Sequence, residues 1–279
     1  MTRRITITSS SNDRLKAVRR LGRGRRRRDG TFLVEGHRNV RAALEAGAAV
    51  RELFAAPELF LGPDDPDLVA LAEARGARVY VVGGAAFRTL SGQIRPDGLT
   101  AVVERRPTSL ARLDLPEHPL LLVAESIERP GNLGTIVRTA CAAGADALIV
   151  CDAVTDVFHP EVVRGSAGAL FNTELATATT DAAVAWLRER AIPIVVTSPR
   201  GPRPYWESIR VGRAALVVGS ERHGVSARWL ASAAEVVSIP MPGPADSLNV
   251  AVAAGIVLFE AARRRASHIR DESGTHPCA

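Results

Sequence analysis

The stretch that decides the fold of this 279-residue chain is LLLVAESIERPGNLGTIVRTACAAGADALIV, residues 120–150. Leu120 to Ala124 is an uninterrupted apolar run, as is Ala147 to Val150, and such runs suit strands buried on both faces. Between them Pro130 and Gly131 make a turn and Asn132 is suited to cap a helix. The helix continues over Leu133–Ala143, with Arg138 six residues, nearly two turns, beyond Asn132. A buried strand, a loop, a helix and a second buried strand are the repeating unit of a parallel sheet. In such sheets ligands gather in the loops at the carboxyl ends of the strands. The rhythm continues downstream, with strands expected at Ile194–Val196, Ala215–Val218 and Val236–Ile239 and helices at Ala182–Arg190 and Asn249–Arg265. Residues 120–265 therefore read as an α/β domain built on a parallel sheet.

Upstream, residues 31–105 form a smaller α/β pattern. Phe32–Val34, Leu53–Ala55 and Val79–Val82 are strand-like, Arg38–Ala46 places Val40, Ala43 and Leu44 on one helical face, and Leu68–Ala74 is helical. The polar, proline-containing residues 106–119 read as a linker, and residues 266–279 as a C-terminal tail. Residues 1–30 hold eleven basic side chains against Asp13 and Asp29. Their net charge of +9 leaves −3 for the rest of a chain whose total is +6. A cationic arm on a slightly acidic body suits a polyanion bound through its phosphates, with Arg25, Arg26, Arg27 and Arg28 as contacts. The plainer alternative is a solubilising tail.

Several chemistries are excluded. No apolar run is long enough to span a bilayer, and the N-terminal residues contain no apolar core of a secretory signal. Cys141, Cys151 and Cys278 give neither a disulfide framework nor metal spacing, so a reducing, cytoplasmic setting is expected. The six histidines make no zinc motif. Lys16 is the single lysine and lies in neither a phosphate-binding loop nor a Schiff-base context.

Two further loops follow buried strands. Val217-Val218-Gly219-Ser220-Glu221-Arg222-His223-Gly224 is a glycine-bracketed turn carrying a carboxylate. Ile239-Pro240-Met241-Pro242-Gly243-Pro244-Ala245-Asp246-Ser247-Leu248-Asn249-Val250-Ala251 leads into an apolar helix that Ser247 or Asn249 can cap. Each alone is an ordinary connection. Together with Glu128–Ala140, and in this order, they resemble the three signature motifs of the SpoU, or TrmH, family of RNA ribose 2′-O-methyltransferases in the SPOUT superfamily. Phe32-Leu33-Val34-Glu35-Gly36 and its following helix resemble that family's N-terminal RNA-binding domain of L30e type, and Val157–Phe171 resembles a family segment between the first two motifs.

The resemblance implies a methyl transfer from S-adenosylmethionine to a ribose 2′-hydroxyl without a metal, in a C-terminal domain whose chain end is threaded into a trefoil knot. It assigns cofactor contacts to Thr197, Ser198, Gly201, Val218, Gly219, Ile239, Met241, Ser247 and Leu248. It makes Arg138 the catalytic group, either as base or as stabiliser of the developing alkoxide, because a guanidinium is normally protonated. Asn132 and Asn249 would orient Arg138 or the ribose, Glu221 would position an asparagine or arginine, and Ser247 would contact cofactor or substrate. Arg129 and Arg164 are candidate RNA contacts, weighed against a solvated charge and an intraprotein ion pair. A homodimer through the C-terminal domain is implied, with Val250, Val252, Ile256, Val257, Leu258 and Phe259 as a face or, alternatively, as core. Ribosomal RNA of the large subunit is the favoured substrate, in a setting where some relatives confer resistance to ribosome-targeting antibiotics. Transfer RNA, or a non-catalytic RNA-binding role, is the alternative.

Overall fold

The computed structural model of the chain describes residues 4–22, 30–208 and 212–273. Arg25 to Arg28, the expected RNA contacts of the arm, lie outside them. In chain order the first elements are β1 (Ile5–Ile7), α1 (Asp13–Gly22), β2 (Thr31–Glu35), α2 (His37–Glu45), β3 (Val50–Ala55), α3 (Asp65–Ala74), β4 (Arg78–Val82), α4 (Gly84–Leu90) and β5 (Leu99–Glu104). They are followed by β6 (Leu120–Glu125), α5 (Pro130–Ala142), β7 (Ala147–Cys151), α6 (Pro160–Ser166), β8 (Leu175–Ala178), α7 (Thr180–Glu189) and β9 (Ile194–Thr197). The chain ends with β10 (Arg203–Pro204), α8 (Tyr205–Ser208), β11 (Ala214–Val218), α9 (Ala227–Leu230), β12 (Glu235–Ser238) and α10 (Val250–Ser273). Two compact units result, Met1–Arg106 with Phe158–Asn172, and Pro107–Val157 with Thr173–Ala279.

The first unit is a five-stranded mixed sheet in the order β1-β4-β3-β5-β2. Alternation along the strands sends Leu33, Phe54, Tyr80 and Val102 to the face covered by α1 and α4, where Leu15, Val18, Leu21, Phe87 and Leu90 complete a buried core. The expectation that residues 1–30 are an arm is therefore corrected for 5–22. Ile5–Ile7 pairs with Tyr80–Val82, and α1 buries Leu15, Val18 and Leu21. Its apolar stripe outweighs the surrounding charge because positions three apart share one helical face.

Residues 158–172 also belong to this unit, not to the domain at 120–265 in which their position along the chain had placed them. The Phe158 ring lies 4.7 Å from Phe32 and that of Phe171 6.3 Å from it. Arg164 reaches the buried Glu35 carboxylate at 3.4 Å. The structure thus gives Arg164 the intraprotein ion pair.

The second unit is a seven-stranded sheet, β10-β12-β9-β11-β6-β7-β8, in which every pairing is parallel. β6, β7 and β11 are buried throughout, as their continuous apolar runs predict. Leu121, Val123, Ile149, Val196 and Val217 face α7 and Trp229 of α9, while α5 and α10 pack together on the sheet. The expected linker is partly core, since Leu110, Leu113 and Leu115 pack against this cluster. The expected tail begins inside a helix, because α10 continues to Ser273. β8 and β10 were not expected; they are four and two residues long, too short for a clear periodic signal.

Because Leu15 has no exposed surface, Leu15→Ala is expected to destabilise the protein by about 2–5 kcal/mol in urea unfolding, while Lys16→Ala on the exposed face changes it by less than about 0.5 kcal/mol.

Candidate active site

β12, β9, β11 and β6 are consecutive parallel neighbours, so their carboxyl ends, Ser238, Thr197, Val218 and Glu125, share one edge of the sheet. The loops that leave those ends contain the three motif-like segments. At two points backbone runs against backbone. A Cβ on Gly219 would lie 2.2 Å from the carbonyl carbon of Gly224 and 2.4 Å from the Val225 nitrogen, and one on Gly201 would lie 2.3 Å from the carbonyl carbon of Val237. Only glycine permits either approach. The turn after β11 is closed by paired hydrogen bonds, Ser220 N to Gly224 O at 3.1 Å and Gly224 N to Ser220 O at 2.9 Å. Ser198 N donates to Val237 O at 2.9 Å, tying the loop after β9 to β12.

A chain of side-chain hydrogen bonds joins the three loops. Asn132 Nδ2 donates to Glu221 Oε1. Asn249 Nδ2 donates to Asn132 Oδ1 at 3.1 Å, and Asn249 Oδ1 accepts the Ala251 amide at 2.9 Å. Asn249 is therefore the residue that caps α10. Asn132 does not cap α5. That position falls to Arg129, Pro130 occupies the first turn, and the Asn132 side chain is left to turn outward.

Arg138 is exposed on α5 and has no hydrogen-bond or ion-pair partner among the described residues. Six residues of helix place it about 9 Å along the axis from Asn132. Arg129 is likewise exposed, whereas Arg222 faces Glu128 at 3.4 Å. Ser247 is exposed, its hydroxyl 3.4 Å from Asp246. Among the expected cofactor contacts, Thr197 Oγ1 is buried without a hydrogen-bond partner, Ser198 Oγ accepts the Arg200 amide at 3.3 Å, Ile239 and Met241 are half-buried, and Leu248 is exposed.

These features fit S-adenosylmethionine. An unsatisfied hydroxyl can serve a polar group, apolar side chains at the rim can cover adenine, and glycines keep the loop backbones close. Thr197, Ser198, Gly201, Val218, Gly219, Ile239, Met241, Ser247 and Leu248 would hold it.

The sequence reading overlooked Glu125, which is 4 % exposed at the end of β6. Its Oε1 accepts Thr180 Oγ1 at 3.1 Å and its Oε2 accepts Ser226 N at 2.8 Å. An ionisable residue closing an apolar strand is the signal that marks it. Burial, with help from the Asp152 and Glu125 carboxylates, pushes the Cys151 thiol well above its usual range, so Cys151 is no nucleophile. In the first unit His37, Asp64 and Asp65 come together, but Arg41 pairs with Asp64, and the Leu61 and Gly62 amides donate to Asp65 at 2.9 and 2.8 Å. Protein groups therefore use that cluster. No helix among the described residues is long and apolar enough to cross a membrane.

Residues 119–259 match the SpoU rRNA methylase family, and residues 12–101 match the MRM3-like substrate binding domain. The 23S rRNA (guanosine(2553)-2′-O)-methyltransferase RlmP of Bacillus subtilis is 30 % identical over 254 residues, covering 91 % of this chain and 97 % of that one. The 23S rRNA (uridine(2479)-2′-O)-methyltransferase of Streptomyces viridochromogenes is 33 % identical over 272 residues, 95 % of this chain and 93 % of that one. The crystal structure of an AdoMet-bound rRNA methyltransferase from Sinorhizobium meliloti superposes with a TM-score of 0.84 at 31 % identity, covering 92 % of this chain and 97 % of that one. Fold and relatives define an S-adenosylmethionine-dependent RNA methyltransferase. The chain belongs to the SpoU rRNA methylase family.

Gly219→Ala puts a methyl group into the Gly224–Val225 backbone. It is expected to weaken S-adenosylmethionine binding by about tenfold or more in titration calorimetry, because the whole turn must move.

Proposed function

We propose that this enzyme methylates a ribose 2′-hydroxyl of 23S ribosomal RNA, in the cytoplasm and as a homodimer. The observation that carries the reading is the hydrogen-bonded series Glu221, Asn132, Asn249 at the carboxyl edge of the sheet, with Arg138 on the same helix as Asn132 and free of any carboxylate among the described residues. The relatives named above that act on 23S ribosomal RNA span more than nine-tenths of the chain, and this favours ribosomal over transfer RNA. The trefoil threading of the chain end belongs to the same reading.

When bound, S-adenosylmethionine supplies an electrophilic methyl carbon. A ribose hydroxyl is a weak nucleophile, so its proton passes to water as its oxygen takes the methyl group, the electron pair of the broken carbon–sulfur bond staying with the cofactor's sulfur. Arg138 serves as the electrostatic partner of the developing alkoxide, since a guanidinium stays protonated and an unpaired one retains its full charge for that oxygen. Asn132 and Asn249 orient the ribose, and Glu221 fixes the Asn132 amide. Ser247 and Arg129 lie exposed, where RNA can meet them. The basic residues 1–30 and the first unit grip the RNA through its phosphates and shape.

For the dimer, α10 divides its apolar residues between two roles. Val250, Val257 and Leu258 are buried in the unit's own core, while Val252 and Phe259 are 51 % and 53 % exposed, with Ile256 half-buried between them. Positions 252, 256 and 259 line one helical face, which a second copy would cover.

Arg138→Ala is expected to lower methyl transfer to unmodified 23S ribosomal RNA by about a hundredfold or more while leaving S-adenosylmethionine affinity within about threefold. The check is label from methyl-labelled cofactor located on ribose, with bulk transfer RNA as the competing substrate. Near-normal turnover would remove Arg138 from the mechanism, and label on transfer RNA alone would reassign the substrate. Val252→Glu combined with Phe259→Glu is expected to convert a dimer to a monomer in light scattering; a wild-type chain that is already monomeric would end the dimer proposal.

A further inference from the structure

Glu125 is a nearly buried carboxylate that closes an otherwise apolar strand. Taking a carboxylate out of water is unfavourable unless donors meet its oxygens. Both oxygens are met, Oε1 by Thr180 Oγ1 at 3.1 Å and Oε2 by Ser226 N at 2.8 Å, and no cation pairs with Glu125 among the described residues. The first donor is itself held in place, because Thr180 N lies 3.3 Å from both carboxylate oxygens of Asp152. The next residue, Ser126, has a left-handed φ of +52°, and its amide donates to Cys151 O at 2.9 Å. A non-glycine residue in that region is strained, and it persists where the surroundings over-determine the backbone. Asp152, with φ +45°, repeats the feature at the end of the neighbouring strand.

The second donor shows what Glu125 controls. Ser226 N is the last anchor of the loop that starts at Gly219, folds onto its own backbone at Gly224 and Val225, and is closed by the Ser220–Gly224 pair. Glu221 lies within that loop and receives Asn132. Glu221–Asn132 and Arg222–Glu128 tie the middle of the loop, and the Ser226 anchor fixes its exit into α9.

We propose that Glu125 is a positioning residue for methyl transfer, its carboxylate setting the 219–226 loop and through it the Glu221–Asn132–Asn249 series. The proposal rests on the role given to Glu221 above. Glu125→Leu nearly keeps the volume and removes both acceptor oxygens, whereas a glutamine there could still accept Ser226 N and donate to the Thr180 hydroxyl oxygen. Ser226→Pro removes the other half of the contact at a residue whose φ is already −66°, leaving Glu125 itself intact.

The test compares the full-length wild-type enzyme with Glu125→Leu, Ser226→Pro, Glu221→Ala and the Glu125→Leu/Glu221→Ala double variant. It uses amide hydrogen exchange and methyl transfer to 23S ribosomal RNA. Exchange at 220–226 is expected to rise about tenfold in Glu125→Leu and in Ser226→Pro, with β11 amides unchanged. kcat should fall about tenfold in both, but Glu125→Leu should cost less than about twofold when Glu221 is already alanine. Unchanged loop exchange in both variants, exchange that rises while kcat stays at the wild-type level, or losses that multiply in the double variant would each overturn the positioning role. A Glu221→Ala enzyme with wild-type kcat would instead overturn the reading of Glu221, and with it the path through which Glu125 is said to act.

Discussion

The polarity of the Glu221–Asn132–Asn249–Ala251 chain is the constraint on which the site depends. An ionised carboxylate only accepts hydrogen bonds, so Asn132 must turn its NH2 group toward Glu221 and its oxygen toward Asn249. Asn249 must then present its own NH2 to Asn132 and its oxygen to a backbone N–H, which the first turn of α10 supplies at Ala251. A donor-only group at one end and an acceptor-only group at the other leave one orientation for each amide between them. Three loops distant in sequence are thereby ordered by a single rule, and the helix cap that α10 needs for its own stability is the last link.

That chain can exist because the sheet is parallel. Consecutive parallel strands bring their carboxyl ends to one edge, and an antiparallel neighbour would have sent one of the loops to the opposite edge. Parallel packing in turn requires both faces of the sheet to be covered, which accounts for the uninterrupted apolar runs of β6, β7 and β11 and for the helices on either side. The site's order is therefore established largely during folding, before any ligand arrives, which is where preorganised electrostatic catalysis has to incur its cost.

The same physics explains what could be read from the sequence. Long apolar runs and glycine-bracketed loops carry local signals, and the expected strands of the second unit agree with the observed ones to within a residue or so at either end. What escaped depends on distant contacts. Ile5–Ile7 becomes a strand only because Tyr80–Val82 offers an edge, and α1 hides Leu15, Val18 and Leu21 among basic residues that dominate any composition measure. Residues 158–172 follow β7 in the chain, yet Phe158 and Phe171 find their partner in Phe32, more than a hundred positions earlier. Asn132 looked like a cap because asparagine near a helix start usually is one, but Pro130 shifted the start and freed the side chain for Glu221. Glu125 escaped because a single polar residue at the end of an apolar run has no periodicity to announce it.

Counting arginines says little about where charge is available. Arg164 is spent on Glu35 and Arg222 faces Glu128, so neither offers an unshared guanidinium. Arg138 differs in having no carboxylate partner among the described residues, and Glu221 has its hydrogen bond with a neutral amide. Had Glu221 paired directly with Arg138, the pair would have been mutually neutralised, and a negative charge developing on a ribose oxygen would have had to compete with the carboxylate for the cation. With Asn132 as the partner of Glu221, the proposed mechanism keeps the two tasks apart. In it the carboxylate fixes geometry, the guanidinium keeps its field, and the Asn132 amide carries orientation without carrying charge.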